Sequence, residues 1–132
     1  MRMIFVNLPV RNVEASKAFF AALDLGFSFN PDFSDEQSAC MVITDTIFVM
    51  LLEHEKFQGF INTRISDAHT ETEVLTCLSA TSRAEVDATL ANALAAGGKP
   101  WKPIMEFGPM YGCSFQDLDG HVWEMMYMDQ HG

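Results

Sequence analysis

Few side chains in this sequence have the types and spacing that chemistry needs. There are four histidines, His54, His69, His121 and His131, and three cysteines, Cys40, Cys77 and Cys113. No two histidines stand four apart on a helix, and no Cys-x-x-Cys pair occurs, so neither a helical zinc site nor a zinc knuckle is written here. Asp117-x-Asp119-Gly120 opens like a calcium loop, but the later ligands are missing and Val122-Trp123 run on as a strand, which predicts a hairpin turn instead. Cys77 is a candidate nucleophile with no histidine predicted beside it, and a thiol in apolar surroundings packs rather than reacts. His121 opens a strand just after the turn, where its ring would touch a ligand or cap the hairpin. His54 and His69 flank a polar connector and read as solvated, and His131 sits near a fraying end. Tyr111, between Gly108-Pro109 and Gly112, is placed to border a ligand, and Trp101 to stack on a planar one.

Something must position these groups, and the composition says what kind of body does so. The chain has 132 residues, 48% hydrophobic and 20% charged, with eleven Phe and nine Met, enough apolar material for one folded domain. Eighteen acidic against eight basic residues give a net charge of -10, the wrong sign for nucleic acid or an anionic membrane. No apolar stretch approaches the roughly 20 residues of a membrane helix. The opening residues read as a strand rather than a signal peptide, and three scattered cysteines suit a reducing cytoplasm.

Periodicity then divides the chain. Residues 3–10 read as a strand. A helix follows from Val13, capped by Asn12, with Val13, Ala15, Ser16, Phe19, Phe20 and Leu23 inward and Gly26 just beyond its end. Phe27, Phe29 and Phe33 alternate with polar residues as in a strand, and residues 40–43 and 47–52 are two more strands around the turn Thr44-Asp45-Thr46. Residues 54–72 form a polar connector with a short amphipathic piece carrying Phe57, Phe60 and Ile61. The order then repeats: a strand at 74–80, a helix capped by Ser82 with Val86, Leu90, Ala93 and Leu94 inward, and strands at 101–107, 110–116 and 121–128. Alternation sends Trp123, Met125 and Tyr127 to the helix side and Met126 and Met128 to the other. Two βαβββ modules, about 1–53 and 73–132, predict one α+β domain whose half-sheets join in a curved mixed sheet with helices outside.

This order, with the run MYGCSFQDLDGHVWEMM at 110–126 and the opening FVNLPVRNVEASKAFF at 5–20, resembles the vicinal oxygen chelate superfamily of lactoylglutathione lyases, extradiol dioxygenases and bleomycin-resistance proteins, in particular its branch of predicted lactoylglutathione lyases. The resemblance implies a concave cup, homodimers, and a divalent metal held by one His, Gln or Glu from the first and last strand of each module. Glu124 maps onto the final carboxylate, which implies a ligand anchor or general base. The other three positions map onto Phe5, Leu51 and Leu75, none of which can donate to a metal. The same alignment turns Phe5, Asn7, Leu51, Glu53, Leu75, Cys77, Glu124 and Met126 into the cup, with Asn7, Glu53 and Cys77 one layer off the ligand row.

The expectation is therefore a protein that holds a small, partly aromatic molecule in the cup without a metal or other cofactor. Glu124 is its catalytic candidate. Phe5, Asn7, Leu51, Glu53, Leu75, Cys77, Trp101, Tyr111, His121 and Met126 are its binding candidates. The acidic balance favours a cationic ligand over an anionic one. The alternative is a divalent-metal-dependent lyase or dioxygenase, in which the metal polarises vicinal oxygens. A third reading is an interaction subunit whose apolar sheet serves only to dimerise.

Overall fold

A computed structural model describes residues 1–129, so His131 lies outside the described residues. The chain divides into two compact units, Met1–Ser66 and Asp67–Gly132, with the boundary inside the expected connector. Both units are α+β, each with a mixed sheet.

The first unit runs β1 (Ile4–Val10), α1 (Val13–Ala22), β2 (Ser28–Asp35), β3 (Ser38–Thr44), β4 (Ile47–Glu53) and the short α2 (His54–Gln58). Its sheet has the order β1-β4-β3-β2, with β1 and β4 parallel and the other pairs antiparallel. Asn12 caps α1 as its type predicts, its side chain accepting from the Ala15 amide at 2.9 Å. The face that α1 buries carries Val13, Ser16, Phe19, Phe20 and Leu23, while Ala15 is exposed. In the sheet, Val6 pairs with Val49, Leu8 with Leu51 and Val10 with Glu53 on the face toward α1. Val10, Val49 and Leu51 there are buried. The opposite, open face pairs Phe5 with Phe48, Asn7 with Met50 and Pro9 with Leu52. In β2 the expected alternation breaks: the pairing with β3 shifts between Asn30 and Asp35, and Phe33 ends up exposed. A bulge adds a residue to one strand only and so changes the phase of side chains beyond it.

The second unit contains β5 (Leu75–Ser79), α3 (Arg83–Ala95), β6 (Lys99–Pro100), β7 (Met105–Phe107), β8 (Met110–Gln116) and β9 (Val122–Met128). Its sheet has the order β5-β9-β8-β6, and β7 pairs with β8 off that path. Of the expected strand at 101–107 only β7 forms, and residues 101–104 are a bend between it and β6. Pro100 and Pro103 have no amide to give a ladder, and the Lys102 amide donates instead to Ser114 Oγ at 3.0 Å. Ser82 caps α3 by accepting from the Glu85 amide at 3.0 Å. The helix buries Val86, Thr89 and Ala93, while Leu94 is exposed, because the buried stripe runs at spacings of three and four and Leu94 falls beside it.

Asp117 organises the turn between β8 and β9. Its carboxylate is buried and accepts from the amides of Asp119 at 2.9 Å and His121 at 3.0 Å and from the indole of Trp123 at 2.9 Å. Burial pushes the Asp117 carboxyl above its ordinary value, against the pull of His121 and of the Trp123 and Asp119 donors. The motif is a hairpin turn, as its sequence predicts. Gly120 completes it at a φ of +87°, and a Cβ there would lie 2.7 Å from the His69 amide nitrogen, so no other residue fits.

Candidate functional site

The second unit presents one carboxylate on its open face. Parallel pairing sets Cys77 beside Glu124, and the antiparallel partner of Glu124 on β8 is Ser114. Flanking rows are Leu75, Val122 and Gln116 on one side and Ser79, Met126 and Gly112 on the other. The expected placements of Leu75, Cys77, Glu124 and Met126 on one face therefore hold, as do those of Trp123, Met125 and Tyr127 on the face toward α3. Met126 lies over Gly112: a Cβ on that glycine would meet the Met126 Cε at 2.7 Å and the Met125 carbonyl oxygen at 2.9 Å. The flexible thioether is the soft floor of this face. The Cys77 thiol is pushed up, first by burial and then by the charge of Glu124, which keeps it protonated and a poor nucleophile at neutral pH.

Three candidates lie elsewhere than expected, Tyr111 from its place in the hairpin and Leu51 and Glu53 from the resemblance. Tyr111 turns to the helix side: its hydroxyl donates to Asp87 Oδ1 of α3 at 2.6 Å, and the Arg83 guanidinium lies 4.7 Å over its ring. Leu51 and Glu53 also face the helix. Leu51 is fully buried in register with Leu8, and Glu53 Oε2 accepts from the Val13 amide at the start of α1, 3.0 Å away. The open-face residues of β4 are Phe48, Met50 and Leu52, one position out of phase with the expected set. Of the rest, His121 belongs to the Asp117 turn, and Trp101 is partly exposed on the bend that reaches Ser114.

The first unit holds a cleft that sequence reasoning missed. Its volume is about 300 Å³, its floor is Met50 and Leu52, and Asn7, Lys56, Phe33 and Phe60 stand around it. Next to it, on the same face, the rings of Phe5 and Phe48 stack at 4.7 Å. Lys56, from α2, is ion-paired with Asp35 and donates to Ser38 Oγ at 3.2 Å. Asp35 also accepts from the Gln37 amide at 2.8 Å and from Ser38 Oγ at 2.9 Å. An Asp that accepts from the amide two residues on is a turn signature visible in sequence. Its ion pair with a lysine 21 residues away is not.

The Lys56 ammonium, with the Gln37 amide and the Ser38 hydroxyl, lowers the Asp35 carboxyl to about 2. A depressed acid contributes to the folded state above its unfolded value, so this contribution is full at neutral pH and is lost as pH falls from about 4 to about 2. An NMR titration of the Asp35 carboxyl carbon should show a midpoint near 2. The same titration of Lys56→Met should show the midpoint returned toward an ordinary aspartate.

Neither unit's donor set fits a divalent metal. The open faces of β1 and β4 offer Phe5, Asn7, Phe48, Met50 and Leu52, and those of β5 and β9 offer Glu124 and a protonated Cys77 with Leu75, Ser79, Val122 and Met126. Among the described residues no three His, Cys, Asp or Glu side chains converge where they could hold a metal ion, and one carboxylate with water binds weakly. No helix among the described residues is long and apolar enough to cross a membrane.

Comparison with known proteins bears on the fold. Residues 2–44 match the family described as bleomycin resistance protein-like N-terminal. No curated protein matches the sequence. Among solved structures, the chain is similar to a hypothetical protein from S. aureus, at 27% identity and a TM-score of 0.80 over 96% of this chain and 94% of that one. It is also similar to a glyoxalase/bleomycin resistance protein/dioxygenase family enzyme from Burkholderia phytofirmans, at 19% identity and a TM-score of 0.79 over 97% and 99%. A genomically encoded fosfomycin resistance protein, FosX, from Listeria monocytogenes superposes at 17% identity and a TM-score of 0.69 over 96% and 93%. The family match lies in the first module, and along its whole length the chain carries the glyoxalase/bleomycin resistance/dioxygenase fold.

Proposed function

We propose that the protein binds a small, partly aromatic molecule on the open face of its sheets and does so without the metal typical of the superfamily. The observation that carries this reading is the cleft of about 300 Å³ in the first unit, whose apolar floor and few polar points suit a small organic ligand. The fosfomycin resistance protein among the similar structures is itself named for a small molecule. Glu124, a carboxylate beside a protonated thiol and the Met126 thioether, serves as acceptor for a ligand O–H or N–H.

Two measurements test the reading together. Metal content, by mass spectrometry on untagged protein grown with nickel, zinc, manganese and iron and purified without chelators, should be far below one ion per chain. A thermal-shift screen of small aromatic compounds should raise the melting temperature as ligand approaches and passes its dissociation constant. A full equivalent of metal would overturn the metal-free reading and point to lyase or dioxygenase chemistry. A screen with no hit would overturn the binding reading.

A further inference from the structure

One corner of the open face of the second unit is built from thioethers. Pairing sets Met126 opposite Gly112 and Gly112 opposite Met105, and in the next row Met128 opposite Met110 and Met110 opposite Phe107. Residues directly opposite in an antiparallel pair share a face, and long side chains on a diagonal also reach each other. Met110 is thus directly opposite Met128 and diagonal to both Met126 and Met105. Four of the nine methionines of the chain meet here, on strands β7, β8 and β9.

Gly112 makes room for them. A Cβ there would lie 2.8 Å from the Met126 sulfur and 2.7 Å from its methyl carbon, so the thioether of Met126 reaches off its own strand and lies on β8, in the middle of the group. Met105, Met110 and Met126 are half-buried and Met128 is 46% exposed, so none of the four belongs to the core. A methionine that only fills a gap does so inside, against other side chains. Half open to water, these four present the lone pairs of soft, polarisable sulfur. Thioethers are uncharged ligands that hard divalent cations pass over and that copper(I) prefers. The Glu124 carboxylate one row away, and a net charge of -10, favour a cation at this corner.

We infer that Met105, Met110, Met126 and Met128 form a thioether site for a soft monovalent cation of the copper(I) class, with Met110 and Met126 at its centre and the exposed Phe107 at its rim. This site does not rest on the cleft in the first unit, and Glu124 is not one of its donors.

The test uses the full chain carrying Cys77→Ser, which removes the exposed thiol as a competing ligand and leaves only the buried Cys40 and Cys113. The probe is copper(I) buffered with bicinchoninate under anaerobic conditions. About one ion per chain should bind, X-ray absorption should show sulfur neighbours in place of nitrogen or oxygen, and excess zinc or nickel should not displace it. Met110→Leu and Met126→Leu remove a sulfur while nearly keeping the side-chain volume, so both should fold, as circular dichroism would show. Each should weaken copper(I) at least about tenfold, the effect of disturbing even the partners of a metal ligand. Met3→Leu, at an exposed position outside the group, should change nothing. If Cys77→Ser binds no copper(I), any binding by the unaltered chain belongs to the thiol and the assignment is wrong. If binding survives Met110→Leu combined with Met126→Leu, the ion sits elsewhere and the assignment falls, as it does if zinc displaces the ion. Copper(I) binding in a protein for which the small-molecule screen finds no ligand would leave this site standing, and the reverse pair of results would remove this site alone.

Discussion

Asp117→Ala should lower the free energy of unfolding by about 3 kcal/mol, since it leaves the amides of Asp119 and His121 and the Trp123 indole without their acceptor and each buried donor so orphaned costs about 1–3 kcal/mol. Water entering the turn from its exposed side satisfies part of this demand, which is why the lower end of the sum is expected. The damage should stay with folding, because Asp117 lies in the turn that joins β8 to β9 and on no ligand face. Asp117→Asn keeps the shape and one acceptor oxygen but turns an amide NH2 toward the remaining donors, so it should lose about half as much. Asp45→Ala, in the exposed β3–β4 turn, should change stability by less than about 0.5 kcal/mol. Urea denaturation of the three variants checks all of this. A loss in Asp117→Ala no larger than in Asp45→Ala would show that the three donors have other partners.

What the sequence made legible follows from which interactions are local. The α1 and α3 caps were readable because Asn12 and Ser82 reach only three residues ahead. The faces of β9 were readable because VWEMMYM sets a lone carboxylate against large apolar neighbours, which fixes the phase. The faces of β4 were not. Residues 47–52, IFVMLL, are apolar throughout, so nothing in the strand says which half faces the helix. The phase is set from outside, by the pairing of Leu8 with Leu51 in the parallel ladder with β1. Tyr111 failed for a related reason: the strand MYGCSFQ has no alternation, and only Asp87 on α3, 24 residues earlier, shows which way the ring turns. The cleft was the least legible feature. Its walls come from β1, β2, β4 and α2, and it depends on a bulge in β2 that no local pattern announces.

The face of β4 also makes the second large prediction. Leu51 is fully buried in register with Leu8 and Ala39 on the side of α1, so Leu51→Ala should cost about 3 kcal/mol, the removed methylenes plus the void they leave. Met50, one residue earlier, pairs with Asn7 and Cys40 on the open side and floors the cleft. Met50→Ala should cost only about 1 kcal/mol, because the side chain is half-buried and its loss deepens a space already open to solvent. Binding should divide the other way: for a small aromatic compound that the thermal-shift screen selects, Met50→Ala should weaken binding several-fold, and Leu51→Ala should leave the affinity unchanged below the melting transition. Denaturation and calorimetry on the pair decide the matter, and a Leu51→Ala protein of normal stability with impaired binding would restore the face expected from the resemblance. The outcome reaches past packing. With Leu51 and Glu53 turned to the helix, the open face of β4 is Phe48, Met50 and Leu52, and the Glu53 carboxylate is engaged by the first turn of α1. The one-residue shift removes an acidic donor from the face and adds a thioether, so correcting the alignment makes a hard divalent metal a poorer fit and an apolar ligand a better one.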